Sequence, residues 1–102
     1  MKIPKQVTVG KTKIAVKKFF AVMVGKDDCR GCYNWDKKEI HIANNTPSTA
    51  YKYSASEKAN TFWHELTHAI LHDMGEDKLN RNEKFVSDFA DRLDQAIKSA
   101  KF

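Results

Sequence analysis

The chain has 102 residues, enough for one domain spanning residues 1–102 around one hydrophobic core, but not for two. Hydrophobic residues make up 41% and charged residues 30%, with few glycines and prolines, which excludes a collagenous, low-complexity or disordered chain. The net charge of +5 admits an acidic partner, but the lysines are spread along the chain, so a solvated surface is expected rather than a nucleic-acid footprint.

The opening residues, "MKIPKQVTVG", lack the apolar stretch of a signal peptide. The apolar run "FFAVMV" at 19–24 is too short to span a membrane. A cytoplasmic protein with reduced cysteines is therefore expected.

The first half reads as β and the second as α. "QVTV" and "KIAV" flank Gly10 and Lys11 as a hairpin. "FFAVMV" is an unbroken apolar run that fits a buried strand or a short helix. "GCYNW" and "EIHIA" read as a second hairpin. In its last strand Ile40 and Ile42 share one face, and Glu39, His41 and Ala43 share the other. "NNTPSTAYKYS" is a loop. Ser54 and Glu57 form an S-x-x-E capping box that opens a helix, and Gly75 closes it. Ala59, Phe62, Trp63, Leu66 and Ile70 make its apolar stripe. "GEDKLNRN" connects to a second helix running from about Asn82 to the C-terminus. Its stripe is Phe85, Val86, Phe89, Leu93, Ala96 and Ile97. The expected fold is α+β: a small antiparallel sheet followed by two helices.

The first helix carries the chemistry. With Ala59 at zero and about 100° per residue, the stripe falls within about 60°, while His64 and His68 fall near about 140° and 180°. Two imidazoles one turn apart on one face can grip one ion from the same side. Glu65 projects beside them. Together they form H-E-x-x-H, the arrangement of zinc peptidases. In such a site Zn²⁺ acidifies a bound water and polarises the scissile carbonyl, and the glutamate is the general base.

A catalytic zinc needs a third protein ligand. His72 lies a further turn along the helix, about 5.4 Å beyond His68, too far for one ion on a straight helix. The metzincin continuation fails, because Leu71 stands at its glycine and Met74 at its third histidine. His72 therefore reads as a neighbour of the site rather than a ligand. The alternative is a carboxylate from the next segment: Glu76, Asp77, Glu83, Asp88, Asp91 or Asp94. Glu83, on the first turn of the second helix, is preferred, with the helix hairpin returning it to His64 and His68. Glu76 and Asp77, in the connection, also remain open.

"TFWHELTHAILHDMG" followed by "NEKFVSDFADRL" resembles the minimal zinc peptidases related to the ImmA/IrrE family, in particular its short phage and prophage members. Glu83, Val86, Phe89 and Ala90 match the family's second block. The resemblance implies a zincin-like fold and carries the zinc-ligand role to His64, His68 and Glu83 and the general-base role to Glu65. It implies a phage- or prophage-encoded peptidase acting on a peptide or protein in the host cytoplasm. "GCYNWDKKEIHI" resembles the family's strand pair, which would make "EIHIA" the edge that binds extended substrate. Thr67 departs from the family, standing where many relatives have glycine.

Two other readings of the same residues remain. One is a non-catalytic zincin-fold binding protein acting on a host or phage partner. The other is a basic nucleic-acid-binding protein with a closed structural metal site. Cys29 and Cys32 form one C-x-x-C, half of what a zinc knuckle needs, and are read as incidental to a turn. Tyr33, Tyr51, Tyr53, His41, His72 and Arg81 are the candidate oxyanion donors, with Tyr51 and Tyr53 placed at the cleft rim.

Overall fold

The computed structural model describes residues 2–25, 27–47, 49 and 51–102. Ser48 and Ala50 of the expected loop lie outside the described residues.

The chain begins with β1 (Gln6–Val9) and β2 (Thr12–Phe19), joined by Gly10 and Lys11. Gly10 has φ +58, and a Cβ there would stand 2.6 Å from an Asp73 carboxylate oxygen, so glycine suits both the turn and the close approach. β3 (Val22–Val24) pairs antiparallel with β4 (Asp27–Cys29) as a separate ribbon. β5 (Gly31–Asn34) and β6 (Glu39–Ala43) form the second expected hairpin.

Two features of the sheet differ from expectation. The sheet is mixed, not antiparallel: its order is β1-β2-β6-β5, and β2 runs parallel to β6. Local pattern specifies each hairpin, but the β2–β6 pairing joins segments separated by the whole β3–β5 excursion. Second, the apolar run at 19–24 is neither one buried strand nor a helix. Phe19 ends β2, and Phe20, Met23 and Val24 are exposed.

Helix α1 (Ala55–Asp73) follows the loop. Both halves of the capping box form: the Glu57 N–H donates to Ser54 Oγ at 3.1 Å, and the Ser54 N–H donates to Glu57 Oε1 at 3.0 Å. A one-turn helix, α2 (Asp77–Asn80), occupies the connection, and α3 (Glu83–Ser99) closes the chain, with Asn82 as its cap. The helical half thus has a third, short member within the expected connection.

The core lies between sheet and α1. Ile40 and Ile42, alternating on β6, are fully buried with Val9, Ile14, Phe62 and Ala69. Ala43, expected on the opposite face from these isoleucines, is also buried. Helix α1 packs on the sheet with one face and on α3 with another. It therefore buries Thr61, Glu65, Thr67 and Leu71 beyond the expected stripe, while Ile70 is partly exposed. The buried hydroxyls are satisfied within the helix: Thr61 Oγ1 donates to the Glu57 carbonyl and Thr67 Oγ1 to the Trp63 carbonyl. On α3 the buried ridge is Val86, Ala90 and Asp94, spaced four apart, and Phe89 and Ile97 are exposed. The small Ala90 lets α3 approach α1, and Asp94 is held there by Asn60 and Lys98. Among the described residues no helix is long and apolar enough to cross a membrane.

Candidate metal centre

Helix α1 places His64 and His68 one turn apart, with ring centroids 5.0 Å from each other. Gly75 at φ +72 ends the helix region, α2 turns the chain, and the Asn82 side chain accepts the Phe85 N–H to start α3. This reversal brings the first residue of α3, Glu83, back over the histidines. Glu83 Oε1 lies 3.1 Å from His68 Nε2, and Glu83 Oε2 lies 3.3 Å from His64 Nε2. Asp88 instead pairs with Lys84, Asp94 with Lys98, and Asp91 accepts from Asn60.

The donor set fits a divalent metal. One ligand atom from each of His64, His68 and Glu83 lies within 4.8 Å of the others. Tetrahedral bonds of about 2.0–2.1 Å require ligand atoms about 3.3 Å apart. Each histidine Nε2 has one Glu83 oxygen near that spacing, a different oxygen for each, and the three ligand atoms lie within 4.8 Å of one another. Two imidazoles and a carboxylate suit zinc. One further residue prepares the set. Asn80, at the end of α2, accepts the His68 Nδ1–H through Oδ1 at 2.5 Å. With a metal bound, that bond would keep the proton on Nδ1 and leave Nε2 for the ion.

Glu65 is buried, with 7% of its surface exposed. Burial first, and then the Glu83 charge, push its carboxyl up to about 8, against a backbone hydrogen bond from the Tyr33 N–H that favours the charged form. Burial, followed by the His68 charge, holds His64 below the usual histidine range, which favours the neutral imidazole a metal needs.

The group opens into a cleft of about 710 Å³. One wall is α1. Another is the N-terminal part of α3, contributing Glu83, Ser87 and Asp91. The opposite wall is β5, not β6. The expectation that "EIHIA" forms the substrate edge is corrected: β6 pairs with β2 on one side and β5 on the other, so its ladders are used. β5 is the edge strand of the sheet. Arg30 accepts the Ala43 N–H, which makes residues 30, 32 and 34 the ones that bond toward β6. Gly31 and Tyr33 therefore turn their backbone groups toward the cleft, as the Tyr33 bond to Glu65 requires.

Gly31 also sets how closely α1 approaches β5. A Cβ there would lie 2.6 Å from Thr61 Cγ2 and 2.6 Å from the His41 carbonyl oxygen. Glycine at this position lets the sheet edge sit against the turn of α1 that carries Glu65.

Of the candidate oxyanion donors, Tyr33 and His72 line the cleft. The other four do not. Tyr51 donates to Glu57, Tyr53 lies under the Arg30 guanidinium, and His41 donates from Nε2 to Glu39. Arg81 caps α2, so Tyr51 and Tyr53 are not cleft-rim residues. His72 stands outside the metal group and contacts Tyr33 and Trp35 instead. Cys29 and Cys32 are free thiols on the cleft wall. Burial, then Glu65, push the Cys32 thiol up, away from a reactive thiolate.

Sequence reasoning missed Asn80 and Trp35. Asn80 sits on a helix too short to leave a periodic signal. Trp35 reads in the sequence as the end of a strand, with nothing to mark it as facing a cleft. Comparison with known proteins gives no match to a family model, a curated protein or a solved structure.

Proposed function

We propose that this chain is a zinc-dependent metallopeptidase of the minimal zincin type that the sequence resembles, phage- or prophage-derived and acting in the cytoplasm on a peptide or protein. The observation that carries the reading is the return of Glu83 to both histidine Nε2 atoms beside a buried Glu65, in an open cleft. A structural metal site would be closed by four protein ligands, whereas among the described residues this group offers three and opens into the cleft.

His64, His68 and Glu83 would hold Zn²⁺, which supplies the acidified water and the polarised carbonyl. Glu65 takes a proton from the water on a carboxylate oxygen and returns it to the leaving amine nitrogen. The Tyr33 N–H holds the Glu65 carboxylate in place. The outward backbone groups of Gly31 and the Tyr33 carbonyl pair with the substrate backbone as an added strand, the Tyr33 N–H being held by Glu65. Of the expected oxyanion donors, Tyr33 and His72 line this cleft.

The test is metal content per chain, alongside cleavage of an unfolded protein. Wild type should carry one zinc, Glu83→Ala should lose it, and His72→Ala should keep it. Glu65→Gln should retain zinc and lose turnover. Retained partner binding with no turnover in wild type would replace this reading with the non-catalytic binding protein.

A further inference from the structure

The cleft has an aromatic end. Trp35 follows β5 directly and is 59% exposed. Its ring lies 5.6 Å from that of His72, tilted by 31°. Tyr33 meets the same imidazole edge-on, with centroids 6.2 Å apart. His72 is one turn past His68 on α1, so the cluster continues the row of histidines, and all three residues line the same cleft as the metal group.

We propose that Trp35, His72 and Tyr33 form the specificity subsite of this cleft, and that its substrates are extended peptides bearing an aromatic side chain within two residues of the scissile bond. The catalytic part of this inference rests on the peptidase reading; the binding part does not.

Three observations converge. A large, exposed indole in a concave site beside polar groups is the composition of a ligand pocket rather than of a solvated surface. Gly31 and Tyr33 share the face of β5 that meets α1, and Trp35, in the turn that follows, joins Tyr33 against His72 on α1. A peptide added to the β5 edge points alternate side chains to that face. The Tyr33 N–H marks the level of Glu65, and Trp35, in the turn that follows β5, lies two residues further, at most about 7 Å away along the chain. The side chain of a residue two positions from the reacting carbonyl therefore reaches the indole. Charge narrows the class. Glu83 and Asp91 line the α3 wall, and the Arg30 guanidinium is engaged by Glu57, so an acidic side chain is disfavoured.

The test is an NMR titration of zinc-loaded Glu65→Gln protein with blocked peptides Lys-Ala-Ala-Xaa-Ala-Ala-Lys, where Xaa is Phe, Leu, Ala or Asp. The Phe peptide should bind about tenfold more tightly than the Ala peptide, with the largest amide shifts from Gly31 to Trp35. Trp35→Ala and His72→Ala should each remove most of that difference, and Asp should bind least. Equal binding of Phe and Ala, no binding of any peptide at millimolar concentration, or a preference that survives Trp35→Ala would each overturn the subsite. Zinc-loaded wild type is then given the same peptides. Selective binding without cleavage removes the peptidase reading and leaves the subsite standing. Cleavage without selectivity does the reverse.

Discussion

Glu65→Gln should make the metal-free protein more stable at neutral pH, although it removes a residue at the heart of the site. The Glu65 carboxyl is raised from 4.5 to about 8 by burial and by Glu83. A group raised on folding contributes stability that is fully present below its unfolded pKa and lost as pH rises through its folded pKa. The window is therefore pH 4.5 to about 8. At pH 7 the unfolded carboxyl is ionised while the folded one still holds its proton. At about 1.4 kcal/mol per unit, the span from 4.5 to 7 costs the folded state about 3 kcal/mol. Glutamine is close to isosteric, remains neutral, and its amide oxygen can accept the Tyr33 N–H. The assay is urea unfolding followed by circular dichroism in the presence of chelator. Glu65→Gln should gain about 3 kcal/mol over wild type at pH 7, and at pH 4 the gain should shrink to a few tenths. A gain of equal size at both pH values, or a loss at pH 7, would show that the carboxyl is not held protonated by its surroundings. A buried group that destabilises the fold and is nevertheless present is the pattern of a functional residue.

The approach of α1 to β5 depends on Gly31, so Gly31→Ala should cost about 1–3 kcal/mol by overpacking against Thr61 and the His41 carbonyl, read as a lowered melting temperature. It should also weaken zinc binding, because the same turn carries His64 and Glu65. Asn80→Ala removes the acceptor for His68 Nδ1–H and should lower zinc affinity about 10- to 100-fold in a chelator competition, with little change in fold. Glu39 sits between His41 and Lys17, whose hydrogen bonds hold its carboxyl down at about 2. Its contribution is present above 4.5 and lost as pH falls through about 2. Acid unfolding of Glu39→Gln should therefore be flatter than that of wild type across this window; parallel curves would refute the pairing.

The sequence by itself determined what depends on neighbours along the chain. The H-E-x-x-H spacing sets His64, Glu65 and His68 on adjacent helical positions whatever the rest of the fold does. The Ser54–Glu57 box starts α1, Gly10 makes the first turn, and Ile40 and Ile42 alternate into the core, each through local geometry. Glu83 was legible only as a preference, from its place on the first turn of the second helix, with Glu76 and Asp77 still open; its approach to both histidines came from the tertiary structure. Tertiary structure alone decided the rest. The parallel pairing of β2 with β6 spans a long excursion, and that pairing moves the free edge from β6 to β5. Helix α1 packs on both the sheet and α3, and α3 buries its ridge against α1, so Glu65 and Asp94 are enclosed while Phe89 and Ile97 are left outside. Asn80 meets His68, and Trp35 meets His72, because the turn after α1 and the end of β5 arrive at the same cleft from distant parts of the chain. Contacts of that kind leave no period or spacing in the sequence.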